Sequence, residues 1–362
     1  MAKTRVLIVD DSAIVRKLLT EALSTSPDIE VVGTAPDPLI ARQKILTLHP
    51  QVLTLDIEMP RMDGLTFLKQ LMQENPMPVI IISSLAQPSA AAALQALALG
   101  AVEVVPKPGG PYSVGELRHQ LPHKIRSAAQ ARLPRLPLHP NGPAAPRPAP
   151  DIAPPGAATS PARCPDLIAI GASTGGTEAI RQILEHLPAD CPPIAIVQHI
   201  PPVFSAAFAD RLNKVCRIRV REAREGDRLE RGLALLAPGD QHMLVRRKEF
   251  GYTVSLSSGP KICYQRPAVD VLFHSVAEAA GGKALGILLT GMGSDGAQGL
   301  LRMKERGAHT IAQDETSSVV YGMPREAARI GAAQQILSLD AIAALASALG
   351  GRARELPQSS AR

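Results

Sequence analysis

Residues 167–180 read LIAIGASTGGTEAI. Four consecutive apolar residues, Leu167 to Ile170, have the continuity of a strand buried on both faces. They run into Gly171, Ala172, Ser173, Thr174, Gly175 and Gly176, after which a helical pattern begins. A plain turn needs one glycine, so three imply that backbone is crowded against something. G-x-S-x-G between a strand and a helix is the pattern of a nucleophile elbow. The competing reading is a phosphate-cradling dinucleotide loop. It needs glycine where Ser173 stands, so that fingerprint fails. The short pattern does not decide the matter alone, because small-residue turns after strands are common.

A nucleophilic serine needs a base on the same sheet edge. In VQHIPP, His199 ends the apolar run Ile194–Val197 and is the candidate. His242, in APGDQHM, is the rival base or a substrate-side residue. His186, on the following helix, His274, in helical VLFHSVAE, and His309, before another apolar run, are less well placed. A histidine held by backbone is the ordinary alternative for any of them. An orienting carboxylate should also follow a strand. GILLTGMGSDGAQGL offers Asp295, just past Ala284–Leu289, with helix capping as its plainer role. The chain order Ser173, His199, Asp295 differs from the Ser, Asp, His order of α/β-hydrolases and implies a triad on another fold.

The first half alternates short apolar runs (Val6–Val9, Val31–Val32, Val52–Leu55, Val79–Ile82, Val102–Val105) with helical patterns such as Ala13–Ser24 and Leu65–Gln73. This predicts a doubly wound sheet of five parallel strands and five helices, the last on the Leu117, Leu121, Ile125 stripe despite Pro122. Asp10 and Asp11 follow the first strand, Asp56 the third, Ser83 the fourth and Lys107 the fifth. All fall on the carboxyl edge, where open parallel sheets bind ligands. Three clustered carboxylates repel one another unless a divalent cation joins them, and oxygen-only ligands suit Mg²⁺. Lys107 and the Ser83 hydroxyl could hold a phosphoryl group's remaining oxygens. Asp11 and Ser12 read equally as helix caps, which leaves Asp56 and Lys107 unexplained.

Between the halves, Pro134 to Pro165 holds 11 of the chain's 33 prolines. Such a stretch cannot bury a core and reads as an extended linker. The expected organisation is a first domain over 1–132, a linker over 133–165, a second domain over 166–350 and a disordered tail over 351–362. The second domain alternates too and is expected to be α/β with a mixed edge, including a hairpin around Gly251 within residues 233–258. Arg217, Arg219 and Arg221 fall on one face of a strand, which either docks an acidic helix or guards a sheet edge.

Composition sets outer bounds. The 362 residues are 45% hydrophobic but only 2% aromatic, with no tryptophan, so Val, Ile, Leu and Ala must pack the cores. The net charge of +6 mildly favours acidic partners. Four scattered cysteines form no CxxC pair and suggest neither a disulfide framework nor a zinc site. The opening MAKTRVLIVDD does not read as a signal peptide, and no run approaches the ~20 apolar residues of a membrane span. A cytoplasmic location without membrane insertion is expected.

Two resemblances follow from these motifs. Over about residues 3 to 125 the chain resembles the receiver domain of two-component response regulators. That resemblance implies Asp56 as phosphoacceptor, Asp10, Asp11 and Asp56 with the Glu58 carbonyl as Mg²⁺ ligands, Ser83 as switch hydroxyl and Lys107 as phosphoryl contact. Val104 stands where that family usually has a switch aromatic. Over about residues 166 to 350, GASTGG, VQHIPP, RPAVDVLFHSVA, LTGMGSDGA and YGMPREA resemble the catalytic domain of chemotaxis protein-glutamate methylesterases. This implies Ser173 as nucleophile, His199 as general base, Asp295 as its orienter, Thr174 beside the site and the Met292 N–H in the oxyanion hole. No cofactor is implied for the esterase. The substrates would be methyl-accepting chemotaxis receptors, with glutamine deamidation in many members, and the phosphodonor a chemotaxis histidine kinase. Gly171 would permit the sharp turn, and Gly175 and Gly176 the approach of receptor backbone. A DNA-binding regulator would show a compact helix-turn-helix, which this long α/β half lacks, so no nucleic-acid partner is expected. A non-catalytic receptor adaptor would release no methanol.

Overall fold

The five apolar runs of the first half pair as one parallel sheet in the computed structural model, which describes residues 3–84, 86–107, 114–133 and 164–350. The expected tail, and the expected linker apart from its two ends, lie outside the described residues. Strands β1 (Thr4–Val9), β2 (Ile29–Ala35), β3 (Val52–Asp56), β4 (Val79–Ser83) and β5 (Glu103–Pro106) lie in the order β2-β1-β3-β4-β5. Helices α1 (Ala13–Ser24), α2 (Pro38–Leu48), α3 (Gly64–Glu74), α4 (Gln87–Ala98) and α5 (Val114–Ala129) join and follow them. Local chemistry starts three of these helices. The side chains of Ser12, Asp37 and Asp63 accept hydrogen bonds from the N–H groups of Val15, Ile40 and Thr66. Pro122 lies inside α5, whose Leu117, Leu121 and Ile125 are buried as the stripe predicts.

The second half begins with β6 (Leu167–Ala172), α6 (Gly176–Glu185), β7 (Ile194–Gln198), α7 (Phe204–Val215), β8 (Arg219–Glu222), β9 (Arg228–Leu229) and β10 (Leu233–Leu236). The hairpin β11 (His242–Lys248) and β12 (Gly251–Ser257) follows, then α8 (Val269–Ala280), β13 (Ala284–Leu288) and α9 (Ala297–Glu305). The last elements are β14 (His309–Gln313), α10 (Met323–Arg329), β15 (Gln335–Leu337) and α11 (Leu339–Gly350). Seven strands form a sheet in the order β15-β14-β13-β6-β7-β10-β8. Every pairing in it is parallel, so the expected mixed edge is corrected. The antiparallel strands form their own three-stranded sheet, β11-β12-β9, and the run at 233–236 joins the main sheet instead of the hairpin. Burial explains the assignment: Leu233 to Leu236 are buried on both faces, as a central parallel strand requires, whereas β12 alternates and ends exposed.

Strand β8 is an edge, with Arg219 and Arg221 alternating with buried Val220. Arg219 pairs with Glu230 at 3.3 Å and Arg221 with Asp227. One apolar cluster crosses from the first half to the second, running from Ala90, Ala93 and Leu94 on α4 to Phe208 and Leu212 on α7. Among the described residues no helix is long and apolar enough to cross a membrane.

Candidate active site and phosphoacceptor pocket

Strand order brings the second-half residues together. Strand β6 lies between β13 and β7, with Ala172 in register with Gln198 and Gly171 with Leu288. Ser173 and His199 therefore leave adjacent strands at the same level, and the His199 N–H donates to the Ala172 carbonyl at 3.1 Å. Asp295 arrives from beyond β13. Its Oδ2 lies 2.7 Å from His199 Nε2, and both side chains are nearly inaccessible to solvent. With Nε2–H donating to the carboxylate, the Nδ1 lone pair of neutral His199 is left over, and that atom is buried without a partner.

Asp295 does not cap the helix that follows it, because Gly296 stands at the start of α9 without a side-chain bond. It caps α8 instead: Val269 N–H donates to Oδ2 at 2.7 Å and Asp270 N–H to Oδ1 at 2.9 Å. Burial opposes ionisation of Asp295. The hydrogen bond and charge of His199 and these two N–H groups outweigh it and hold the carboxyl below the usual carboxylate range. His242 has both ring nitrogens committed, Nε2 at 2.9 Å from the Pro260 carbonyl and Nδ1 accepting from Ala268 N–H at 3.1 Å. That removes it as a rival base. His242→Ala is expected to lower stability by about 1–3 kcal/mol through the orphaned Ala268 N–H, with turnover of the folded fraction near wild type. Thermal unfolding alongside initial rates checks this.

The glycines are crowded by the chain itself, which corrects the expectation of receptor backbone at that place. A Cβ on Gly171 would lie 2.2 Å from Val269, one on Gly175 2.5 Å from Val319, and one on Gly176 2.2 Å from Gln198 Oε1. Gly175 also needs its left-handed φ of 77° to start α6.

In the first half, Asp10, Asp11 and Asp56 offer carboxylate oxygens within 4.8 Å of one another. Lys107 Nζ lies 2.7 Å from Asp56 Oδ2 and 3.4 Å from Asp10 Oδ2. The second distance is an ion pair without hydrogen-bond geometry, and Asp10 Oδ2 remains buried without a hydrogen bond. Burial pushes the Asp56 carboxyl up to about 6, against the hydrogen bond and charge of Lys107, and raises Asp10 in the same way. An orphaned buried oxygen beside two further carboxylates is a donor set that suits a hard divalent cation. Ser83 is buried beside them at the end of β4, and the Glu58 carboxylate accepts from Ser89 Oγ.

Residues 168–346 match the family model described as CheB methylesterase, and residues 6–118 match that of the response regulator receiver domain. A protein of Syntrophus aciditrophicus named protein-glutamate methylesterase/protein-glutamine glutaminase 2 is 53% identical over 347 residues, covering 95% of this chain and 98% of its own. The protein numbered 4 under that name in Anaeromyxobacter dehalogenans is 50% identical over 97% of this chain and 96% of its own. One of the same name from Bordetella parapertussis is 51% identical, covering 94% and 95%. The chain belongs to the protein-glutamate methylesterase/protein-glutamine glutaminase family.

In this member of the family the receiver meets the other half beside Ser173. Thr174 Oγ1 donates to Glu103 Oε2 at 2.8 Å and lies 3.1 Å from Ser127 Oγ. Lys124 Nζ completes the group, 3.0 Å from Glu103 Oε1. Val319, which covers Gly175, also packs on the receiver's core, and Arg132 N–H donates to its carbonyl at 2.8 Å. None of these contacts has a local signal: Glu103 and Ser127 read in sequence as ordinary strand and helix residues. Thr290 is equally silent and Gln198 nearly so, yet both bind the Ser173–Thr174 backbone, Gln198 Nε2 at 2.8 Å from the Ser173 carbonyl and Thr290 Oγ1 at 2.9 Å from that of Thr174. A glutamine preceding the histidine at the end of a buried strand was the one available hint.

Proposed function

We propose that the chain is a phosphorylation-controlled serine esterase that hydrolyses glutamate methyl esters on methyl-accepting chemotaxis receptors and deamidates receptor glutamines. The observation that carries this is the His199–Asp295 pair with a free, buried Nδ1 one strand from Ser173. Ser173 Oγ attacks the ester carbonyl carbon while its proton passes to His199 Nδ1. The N–H groups of Thr174 and Met292 receive the oxyanion. The intermediate collapses with loss of methoxide, which takes the proton from His199 and leaves as methanol. Water, deprotonated by the same nitrogen, then attacks the acyl carbon, and His199 returns that proton to Ser173 Oγ as the acyl–oxygen bond breaks and the glutamate carboxylate is freed. Asp295 stays ionised throughout and stabilises the imidazolium. Methanol release from methylated receptor membranes tests the reading; none from the phosphorylated chain would support the adaptor alternative.

In the receiver, Asp10, Asp11, Asp56 and the Glu58 carbonyl would hold Mg²⁺, which neutralises phosphoryl oxygens when bound. Asp56 is the phosphoacceptor, with a chemotaxis histidine kinase as donor. Lys107 and Ser83 take the remaining oxygens. A kinase donor and receptor substrates of this kind suit a cytoplasmic protein.

The Glu103–Thr174 contact supports an inhibitory receiver. It occupies the hydroxyl beside the nucleophile, and Glu103 lies on β5 next to Val104 and three residues from Pro106, which pairs with Ser83. A fragment beginning near Asp166 is expected to release methanol faster than the unphosphorylated whole chain. A closing bias of about 1.4 kcal/mol gives a tenfold difference. Phosphorylation should raise the whole chain and leave the fragment unchanged. Equal or slower release by the fragment on the same receptor preparation argues for a delivering receiver instead.

A further inference from the structure

Two peptide units lie next to Ser173, the one joining it to Thr174 and the one joining Gly291 to Met292, and the carbonyl of each is held by two donors. A trans peptide points its C=O and N–H in opposite directions, so fixing one aims the other. The Thr174 N–H shares a unit with the Ser173 carbonyl. That carbonyl accepts two bonds, from Gly176 N–H at 2.8 Å and from Gln198 Nε2 at 2.8 Å. The Met292 N–H shares a unit with the Gly291 carbonyl, which also accepts two, from Gly322 N–H at 3.1 Å and Met323 N–H at 2.8 Å. Neither the Thr174 nor the Met292 N–H has a hydrogen-bond partner among the described residues. Gly291 itself packs against Ser173, since a Cβ on Gly291 would lie 2.6 Å from Ser173 Cβ.

The surroundings of Gln198 leave its amide one orientation. Nε2 faces two carbonyls, those of Ser173 and, at 3.3 Å, His199. Oε1 is buried without a partner, against Gly176. A flipped amide would set an oxygen against both carbonyls. A buried acceptor left unpaired is destabilising, and an apolar side chain of similar size would avoid it. The unpaired Oε1 offsets part of what the two Nε2 bonds contribute, so the donor aimed at the Ser173 carbonyl is what this glutamine supplies and an apolar side chain of similar size lacks. On the other side, Gly322 has an ordinary φ of −112°, yet a Cβ there would lie 2.6 Å from the Gly291 oxygen and 3.0 Å from Met292 Cα. Close approach, not backbone freedom, requires glycine in this turn.

We propose that Gln198 and the turn at Gly322 and Met323 are positioning elements of the oxyanion hole, holding the Ser173 and Gly291 carbonyls so that the Thr174 and Met292 N–H groups are aimed before substrate arrives. The proposal rests on the esterase reading above. Bonds accepted by a peptide carbonyl also strengthen the bond its N–H donates, by roughly 10–30% per bond, so both donors gain in strength as well as orientation.

The test uses the full chain on methylated receptor membranes, with Gln198→Met to remove the donor at similar length and Gly322→Ala to displace the second unit. Each is expected to lower kcat by about 30-fold, below the ~10²–10³ of deleting a direct donor, with KM little changed because the oxyanion exists only in the transition state. Thermal unfolding establishes the folded fraction to which kcat is referred. In Gln198→Glu a protonated acid can donate and a carboxylate cannot, so its activity relative to wild type should rise as pH falls. Wild-type kcat in both Gln198→Met and Gly322→Ala, a loss carried by KM, or a flat relative pH profile for Gln198→Glu overturns the proposal. Should Gln198→Met fail to fold, Gly322→Ala and the Gln198→Glu profile decide. Activity surviving in Ser173→Ala would instead overturn the esterase reading itself.

Discussion

Ser173→Ala is expected to reduce methanol release from methylated receptors by at least about 10³-fold, the scale on which a triad fails when its nucleophile is removed. The expectation rests on register. Ser173 leaves the strand between those that deliver His199 and Asp295, and the only buried histidine nitrogen without a partner among the described residues is His199 Nδ1. His199→Ala should be comparably damaging, because residues that act as a unit lose their rate together. Incorporation of phosphate at Asp56 should be untouched in both variants, which separates lost chemistry from lost folding. Turnover near wild type in Ser173→Ala would remove that residue from its role. The depressed carboxyl of Asp295 adds a sign. A group whose folded pKa lies below its unfolded value stabilises the fold above the unfolded value and loses that contribution as pH falls through the folded one. The pair should therefore hold at mildly acidic pH and fail only below the ordinary carboxylate range.

Asp56→Asn is expected to abolish phosphate incorporation from a small phosphodonor with Mg²⁺ present. An amide nitrogen cannot replace the carboxylate oxygen that would attack phosphorus. The variant keeps the size of the side chain beside Lys107, so the buried pocket should survive; it loses one of the charges that Lys107 now offsets at 2.7 Å. Intact-mass measurement after incubation reads the result, and full-stoichiometry phosphorylation of the variant would contradict it. Because Glu103 rather than an aromatic at position 104 touches the second half, the same variant should also hold the esterase at its unphosphorylated rate.

Much of this was legible in the chain because parallel strands buried on both faces announce themselves as apolar runs and place their next residues on one edge. Asp10, Asp56, Lys107, Ser173 and His199 could be placed at their strand ends in that way. The shortest strands were not legible: β9 (Arg228–Leu229) and β15 (Gln335–Leu337) are too brief to show a pattern, and the run at 233–236 could not be assigned to one sheet or another without its long-range partner. The glycines of GASTGG signalled crowding, but not that Val269, Val319 and Gln198 are what crowd them. The contacts of Glu103 with Thr174 and of Gln198 with Ser173 join residues 71 and 25 positions apart, and such pairings leave no trace in local pattern.

Arg132 is strapped to Val319 at 2.8 Å, and Asp166 to Lys283 at 2.7 Å. The 33 residues between them therefore close a loop between two anchored points rather than join two free bodies. The cost of closing a flexible loop grows only with the logarithm of its length, about 0.6 kcal/mol for a doubling. Inserting a second copy of this segment should change the basal esterase rate by less than about threefold. Between these two anchors, added length is therefore expected to leave the basal rate of the enzyme nearly unchanged.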